Sequence, residues 1–122
     1  MLWWLIAIGV LIIGIAIAYS VLLANNNIGD QTKLERSFTK EEQQTIEEHS
    51  ISHDELRKHN GKDAPPLIAI NGVVYDLSGT PSWAQGLHHG VQAGTDGTDS
   101  FIRSRHGKET LEKMTVVGSL DP

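Results

Sequence analysis

The first 29 residues contain no Asp, Glu, Lys, Arg or His, and residues 2–24 are almost wholly apolar. As an α-helix this stretch would be about 35 Å long, which exceeds the hydrocarbon thickness of a bilayer, about 30 Å. The remainder of a 122-residue chain is too small to cover every side of such a helix. Trp3, Trp4 and Tyr19 lie near its two ends, where aromatic rings favour the membrane interface. We therefore predict that residues 1–24 form a single transmembrane anchor.

A cleaved signal peptide is the alternative for this stretch. No basic residue precedes the apolar run, the run is long, and no small-residue cleavage motif follows it, so a retained anchor is favoured. The first basic residues, Lys33 and Arg36, favour a cytoplasmic position for the rest of the chain only weakly. The expected localisation is thus a single-pass membrane protein. Its membrane side stays open, and an extracytoplasmic soluble domain is one expectation.

The composition excludes several classes of function. All charged residues follow the anchor, and the 15 acidic residues outnumber the 10 basic ones. Binding of nucleic acid requires a basic surface, so a nucleic-acid partner is not expected. The absence of cysteine excludes disulfides, thiolate metal sites and cysteine catalysis. The sequence also lacks a phosphate-binding loop and a recognisable nucleophile–base arrangement, so we predict that the protein is not an enzyme.

Residues 25–50 are predicted to link the anchor to a folded domain. Residues 25–36 combine turn-forming residues with mixed charges and lack periodicity, which is typical of a tether. The following segment favours a helix with Ser37 or Thr39 as its N-cap. Its only apolar residues are Phe38 and Ile46, so an exposed stalk helix is expected.

Residues 51–120 favour a small α+β domain. A short helix is predicted after Ser52, and two β-rich runs around Asn71–Gly72 predict a hairpin. Short helices follow, and the domain ends in a helix and a strand, Thr115–Val117, which Gly118 is expected to terminate. A domain of this size without cysteine needs another source of stability, and a cofactor held in the core is one.

Five of the six histidines fall into two groups. His49, His53 and His59 stand among charged residues and are expected at the surface. His88 and His106 stand beside glycines and near apolar residues that are expected to line a pocket. That apolar set includes Trp83, Val91, Phe101, Leu111 and Met114. Two neutral imidazoles on opposite walls of an apolar crevice suit the iron of haem, although ordinary surface histidines remain an alternative at this point.

Five motifs, taken in order, resemble one known family. They are NGVVYDLSG, WxxGxH, AGxDxTxxF, HGxxxL and VVGSL, and they span most of Ile51–Leu120. This set is similar to the cytochrome b5-like haem-binding domain, and more narrowly to its short bacterial and archaeal branch, which is related to membrane-associated progesterone receptors. The resemblance implies a small mixed sheet with short helices that form a haem crevice.

The resemblance also implies a cofactor and its ligands. It predicts haem b with His88 and His106 as axial ligands of the iron. Ala93 and Phe101 match the segment before the second ligand, and Tyr75 and Trp83 match scaffold positions beside the crevice. Because the microsomal type has His-Pro-Gly-Gly where this chain has His88-His89-Gly90, His89 stays an alternative first ligand. A tyrosine ligand, as in the progesterone-receptor relatives, could come only from Tyr75 and is not favoured.

The expected function follows from two imidazole ligands, which leave no free position on the iron. We predict a membrane-anchored b-type cytochrome that transfers single electrons to or from a membrane-associated redox partner. The alternatives are a module that binds haem or a small apolar, steroid-like ligand without electron transfer, and an interaction domain with incidental histidines. An open coordination site would favour the first alternative, and failure to bind pigment would favour the second.

Overall fold

The computed structural model describes residues 2–83 and 86–122, so Met1, Ala84 and Gln85 lie outside the described residues. The helices are α1 (Leu2–Asn26), α2 (Lys40–Glu48), α3 (His53–Lys58), α4 (Thr98–Arg103) and α5 (Lys108–Glu112). The strands are β1 (Ser50–Ile51), β2 (Leu67–Ile70), β3 (Val73–Asp76), β4 (Leu87–His88), β5 (Val91–Gln92) and β6 (Thr115–Leu120). Two 3-10 turns lie at Gln31–Leu34 and Pro81–Trp83.

A four-stranded mixed sheet organises the soluble part. Its strand order is β1-β6-β3-β2, in which β1 is parallel to β6 and the other pairs are antiparallel. The β2–β3 hairpin turns at Asn71 and Gly72, whose φ angles of 51° and 79° are those that a tight two-residue hairpin turn requires. Strands β4 and β5 form a separate small hairpin. The predicted α+β class and the hairpin at Asn71–Gly72 are confirmed.

The central sheet has an apolar cluster on each face. Along β2, Ile68 and Ile70 belong to one cluster, whereas Leu67 and Ala69 belong to the other, because successive side chains in a strand point to opposite faces. Helix α3 contributes the fully buried Leu56 to the second cluster. The first cluster adjoins the crevice described below, so the sheet forms the floor of the candidate site.

The C-terminal strand is longer than predicted. Strand β6 continues through Gly118 to Leu120, so the expectation that Gly118 ends it is wrong. The backbone of His49 packs against the space where a β-carbon at position 118 would lie. Glycine is therefore required there by a close backbone approach, which is a common reason for glycine inside a strand.

The segment after α1 is not the free linker that its composition predicts. Lys33 and Arg36 are only 3% and 7% exposed. Phe38 and Ile46 are partly buried and pack against the first apolar cluster, with α2 lying on β6. The expectation of a free tether is therefore wrong, because two buried cations and two apolar side chains attach this segment to the domain. The predicted stalk helix is present as α2, and none of its residues is fully buried.

Helix α2 begins at one of the two predicted caps. The hydroxyl of Thr39 accepts a hydrogen bond from the backbone N–H of Glu42, and the Glu42 carboxylate accepts one from the backbone N–H of Thr39. This reciprocal arrangement satisfies two N–H groups at the helix start. Thr39, and not Ser37, is therefore the N-cap.

Helix α1 carries the apolar stretch. Its segment Leu2–Leu22 has a mean hydropathy of 2.7, and none of it is buried against the rest of the protein. By length and composition this helix is suited to cross a membrane.

Candidate functional site

His88 is held by the small β4–β5 hairpin and lies in a strand, although glycines, which are common in loops, stand beside it. The turn of this hairpin is His89–Gly90, and both residues have positive φ angles, 47° and 79°. Gly86 precedes the strand with a φ of 71°, and a β-carbon there would collide with the carbonyl group of Asn60. The local backbone thus places His88 in the strand and His89 in an exposed turn.

His106 lies in the connection between α4 and α5 and is exposed. Its backbone N–H donates a hydrogen bond to the hydroxyl of Ser104, at 3.2 Å. Asp96 stabilises the start of the preceding helix by accepting hydrogen bonds from the backbone N–H and the hydroxyl of Thr98, at 3.0 and 2.6 Å. A hairpin strand and a separate loop therefore supply the two histidines.

The rings of His88 and His106 face the same space. Their centroids are 6.3 Å apart and their planes differ by 32°. A metal–imidazole bond is about 2 Å long, so this separation leaves room for one metal ion between the rings. Trp83 packs 5.2 Å from the His88 ring, and His89 lies edge-on to it at 4.2 Å.

Two cavities flank this pair of rings. Their volumes are about 340 and 290 Å³, close to the range of about 300–1,000 Å³ found for small-ligand sites. Both are lined by the two histidines together with the same four apolar and aromatic side chains: Ile68, Ile70, Trp83 and Phe101. The histidines therefore stand across the middle of one apolar crevice.

The other predicted pocket residues divide into two sets. Val91 lines the first cavity and Met114 lines the second. Tyr75, Ala93 and Leu111 are each 1% exposed in the apolar core and line neither cavity. Burial, the largest influence, raises the pKa of Tyr75, which disfavours its phenolate as an iron ligand.

Sequence patterns did not identify several residues of the crevice. Ile68 and Ile70 were visible only as members of a β-rich run, which does not show which face of the sheet they occupy. Arg103 lines the first cavity and Lys113 the second. Their positive charges suit a ligand that carries carboxylates. These residues are recognisable as crevice residues only in the tertiary structure, where the segments that carry them come together.

The surroundings of His88 favour its neutral form. Partial burial, followed by the nearby charges of His89 and His106, lowers the pKa of His88 from its ordinary value of 6.5. A neutral imidazole has the free nitrogen lone pair that binds a metal. The His88 ring is therefore able to bind a metal at neutral pH.

The other three histidines do not form a comparable site. His49 caps the end of α2, whereas His53 begins α3, so the two do not share one helix. Nδ1 of His59 lies 3.0 Å from the carbonyl oxygen of Pro65. Within residues 2–83 and 86–122, no group of three or more His, Cys, Asp or Glu side chains could hold a metal ion.

The donor set fits one kind of metal group. Two imidazoles do not complete the coordination of a lone ion, but they complete that of an iron whose other ligands belong to a porphyrin. The crevice on both sides of the pair is apolar, and Arg103 and Lys113 lie in its two halves. The described residues therefore fit haem, with His88 and His106 as the residues that would hold it.

Comparisons with known proteins agree with this geometry. Residues 52–121 match the family described as the cytochrome b5-like heme/steroid binding domain. A solved cytochrome b5 domain protein of Hadesarchaea is 44% identical, with a TM-score of 0.56, over 60% of this chain and 99% of its own. A solved cytochrome b5 domain protein of Methanococcoides burtonii is 34% identical, with a TM-score of 0.57, over 61% of this chain and 99% of its own. No curated protein matches the chain. The expected crevice-forming fold is confirmed, and the chain belongs to the cytochrome b5-like heme/steroid binding domain family.

Proposed function

We propose that this protein is a membrane-anchored b-type cytochrome that carries single electrons and is not itself an enzyme. The observation that carries the proposal is the pair of imidazoles, His88 and His106, with ring centroids 6.3 Å apart across an apolar crevice. Two histidine ligands would occupy both axial positions of a haem iron. Haem, when bound, supplies an iron that alternates between the ferric and ferrous states.

The first support for bis-histidine ligation comes from the environment of each imidazole. The lowered pKa of His88 keeps its ring neutral at physiological pH. Trp83 and Phe101 line the crevice next to the two rings with apolar surface. The His88 ring lies 6.3 Å from that of His106 and lines both cavities, whereas His89 lines only the first, so we assign the first ligand to His88.

The charge distribution supports haem b, which carries two propionate groups and no covalent attachment. The sequence has no cysteine, so thioether attachment is impossible. Arg103 and Lys113 offer cations in the two halves of the crevice, and cation–carboxylate hydrogen bonds are among the stronger ones. We propose that these two side chains orient the propionates.

Electron transfer is supported by the accessibility of one ligand. The His106 side is exposed, so a partner protein can approach within a short distance of the iron. Retention of both protein ligands in both oxidation states keeps the structural rearrangement small. No position is then left for oxygen or a substrate, which is the reason for proposing a carrier rather than an enzyme.

Membrane attachment is supported by α1, in which Leu2–Leu22 is apolar and packs against no other part of the protein. We propose a retained single-pass anchor that raises the local concentration of a membrane-bound redox partner. Flotation of the full-length protein with lipid vesicles, followed by measurement of its intact mass, tests this. An intact chain in the floating fraction is expected. A mass lacking the first residues in protein purified from membranes would indicate a cleaved leader and contradict the anchor.

The central experiment is the absorption spectrum of the full chain in detergent, reconstituted with haem and measured oxidised and dithionite-reduced. The wild type is expected to give a low-spin bis-imidazole spectrum. His88→Ala and His106→Ala should each lose it. His89→Asn is the matched control, because asparagine tolerates the positive φ of the turn and removes the imidazole.

The other outcomes contradict the proposal in different ways. A high-spin spectrum or carbon monoxide binding in the wild type would indicate an open iron position and favour a ligand-binding module. A low-spin spectrum that survives in His88→Ala but disappears in His89→Asn would reassign the first ligand. Failure to bind haem would remove the cytochrome proposal altogether.

A further inference from the structure

The segment that follows the anchor is bonded to the loop that carries His106. We call residues 27–34 the strap and residues 102–107 the His106 loop. The backbone N–H of Gly29 donates to the carbonyl oxygen of Ile102, at 2.8 Å. The side-chain amide of Asn27 donates to the carbonyl oxygen of Arg105, at 3.0 Å. The strap therefore bonds to backbone carbonyl groups of the His106 loop. These bonds depend on the position of the loop and not on its side chains.

Lys33 makes the central contacts of the strap. Its ammonium group donates hydrogen bonds to the carbonyl oxygens of Asn27, Ser104 and His106, at 2.8, 2.9 and 2.9 Å. These partners use all three donors of a lysine. The same ammonium lies 4.7 Å from the centre of the Phe101 ring, a distance at which a cation is attracted to an aromatic face.

The burial of Lys33 makes these bonds important. Lys33 is 3% exposed, and a buried charge is tolerated only when its hydrogen bonds are satisfied. Two of its three acceptors belong to the His106 loop, one of them being the carbonyl group of His106 itself. Displacement of that loop would break two of the three hydrogen bonds and leave the buried charge with one acceptor, the carbonyl oxygen of Asn27. Movement of the His106 backbone is therefore energetically unfavourable while Lys33 stays buried.

We propose that Lys33 is a positioning residue for the second haem ligand: through the strap it holds the His106 loop so that the imidazole stays opposite His88. This inference rests on the proposed function. Groups that fix the orientation of a metal ligand typically alter metal affinity by about 10- to 100-fold. Residues 27–34 lie outside the matched region 52–121, so this contribution comes from the chain's own membrane-proximal segment.

The strap also connects the site to the anchor. Helix α1 ends at Asn26, and the first bond to the His106 loop is made by the next residue, Asn27. The haem crevice is consequently attached directly at the end of the apolar helix rather than through a free linker. The exposed His106 side of the crevice thus stays close to the end of α1, where a membrane-bound redox partner can reach it.

The test uses the full chain in detergent with haem bound. Lys33→Met keeps the apolar stem and removes the three donors. Arg36→Met is the matched control, because Arg36 is a similarly buried cation, 7% exposed, that donates to Leu111, Ser37 and Glu42 and not to residues 102–107. The measured quantities are the low-spin fraction and the rate of haem transfer to an excess of a haem-scavenging protein.

We expect Lys33→Met to lose haem about 10- to 100-fold faster and to show a mixed-spin spectrum. Arg36→Met should retain the wild-type spectrum and rate in the folded fraction. Asn27→Ala, which removes a single bond to the loop, should change both quantities in the same direction but less. This milder variant keeps the test decisive if Lys33→Met does not fold.

A double-variant cycle separates positioning from general stability. If Lys33 acts through His106, Lys33→Met should have little further effect on haem loss in a His106→Ala background. Equal effects in both backgrounds, or identical behaviour of Lys33→Met and Arg36→Met, would overturn the inference. If His106→Ala gives the same spectrum as the wild type, the proposed ligation is overturned as well. If His106→Ala loses the low-spin spectrum but Lys33→Met has no effect, only the role of Lys33 is overturned.

Discussion

The carbonyl group of His49 occupies the space that a β-carbon at Gly118 would need. The same carbonyl accepts a hydrogen bond from the backbone N–H of Ser119, at 2.8 Å. This contact joins the end of α2 to the middle of β6, and it permits β1 to pair with the end of that strand. Helix α2 is thereby part of the folded domain.

Gly118→Ala should therefore destabilise the protein. The added methyl group overlaps backbone atoms that cannot rotate away, and such overpacking costs about 1–3 kcal/mol. Urea unfolding of the full chain in detergent, followed by circular dichroism, measures the change. Gly79→Ala is the control, because nothing lies within 4 Å of a β-carbon at that position. Equal stability of the two variants would contradict the close approach.

Gly86→Ala should damage the haem crevice more than Gly90→Ala. Both glycines have positive φ angles, 71° and 79°, so alanine at either position is strained by about 1–2 kcal/mol. Only at Gly86 would the new methyl group also collide with Asn60. Because β4 follows Gly86 directly, we expect His88 to move and haem to dissociate faster.

Haem-transfer rates and urea midpoints of the two variants check this prediction. A larger loss of haem from Gly90→Ala than from Gly86→Ala would show that the strain of the turn, rather than contact with Asn60, positions the hairpin.

Arg36→Met should destabilise the chain much more than Lys58→Met. The Arg36 guanidinium is buried, donates to the Leu111 carbonyl oxygen at 2.7 Å, and binds both oxygens of the Glu42 carboxylate at 2.8 and 2.9 Å. Loss of buried hydrogen bonds to a charged group costs about 1.5–3 kcal/mol. Lys58 pairs with Glu55 in solvent, with both side chains at least half exposed, and such pairs contribute about 0–1 kcal/mol. Free energies of unfolding from urea titration compare the two.

Glu42 should make the folded state sensitive to acid. Partial burial alone would raise its pKa, but hydrogen bonds from Thr39 and the bonds and charge of Arg36 outweigh it, so the pKa of Glu42 lies below its ordinary value of 4.5. The unfolded chain then binds more protons than the folded chain between these two values. This contribution to stability is fully present above pH 4.5 and is lost as the pH falls through the folded pKa.

The comparison of wild type with Glu42→Gln isolates this effect. The difference in their free energies of unfolding should be constant above pH 4.5 and should shrink below it. A difference that does not change with pH would mean that the carboxylate contributes only its shape and hydrogen-bonding capacity.

Local sequence signals predicted the local structure well. The Asn71–Gly72 turn and the helix start at Ser52 depend on residues within a few positions of one another, and both are found in the structure. The strand that continues through Gly118 was not predictable, because its reason is the backbone of His49, which is distant in sequence. The burial of Lys33 and Arg36 was equally hidden, since charged residues are normally expected in solvent.

By itself, the sequence determined the apolar helix, the α+β class, the family and the two histidines to be considered as ligands. These depend on composition, on periodicity and on motifs in a set order. Only the tertiary structure decided that the rings of His88 and His106 lie 6.3 Å apart, that Ile68 and Ile70 form the crevice floor, and that Tyr75 packs away from it. It also decided that Lys33 reaches the His106 carbonyl oxygen, 73 positions away. The Lys33 contact joins segments that carry no mutual signal in sequence, because its acceptors are backbone carbonyl groups, which every residue has.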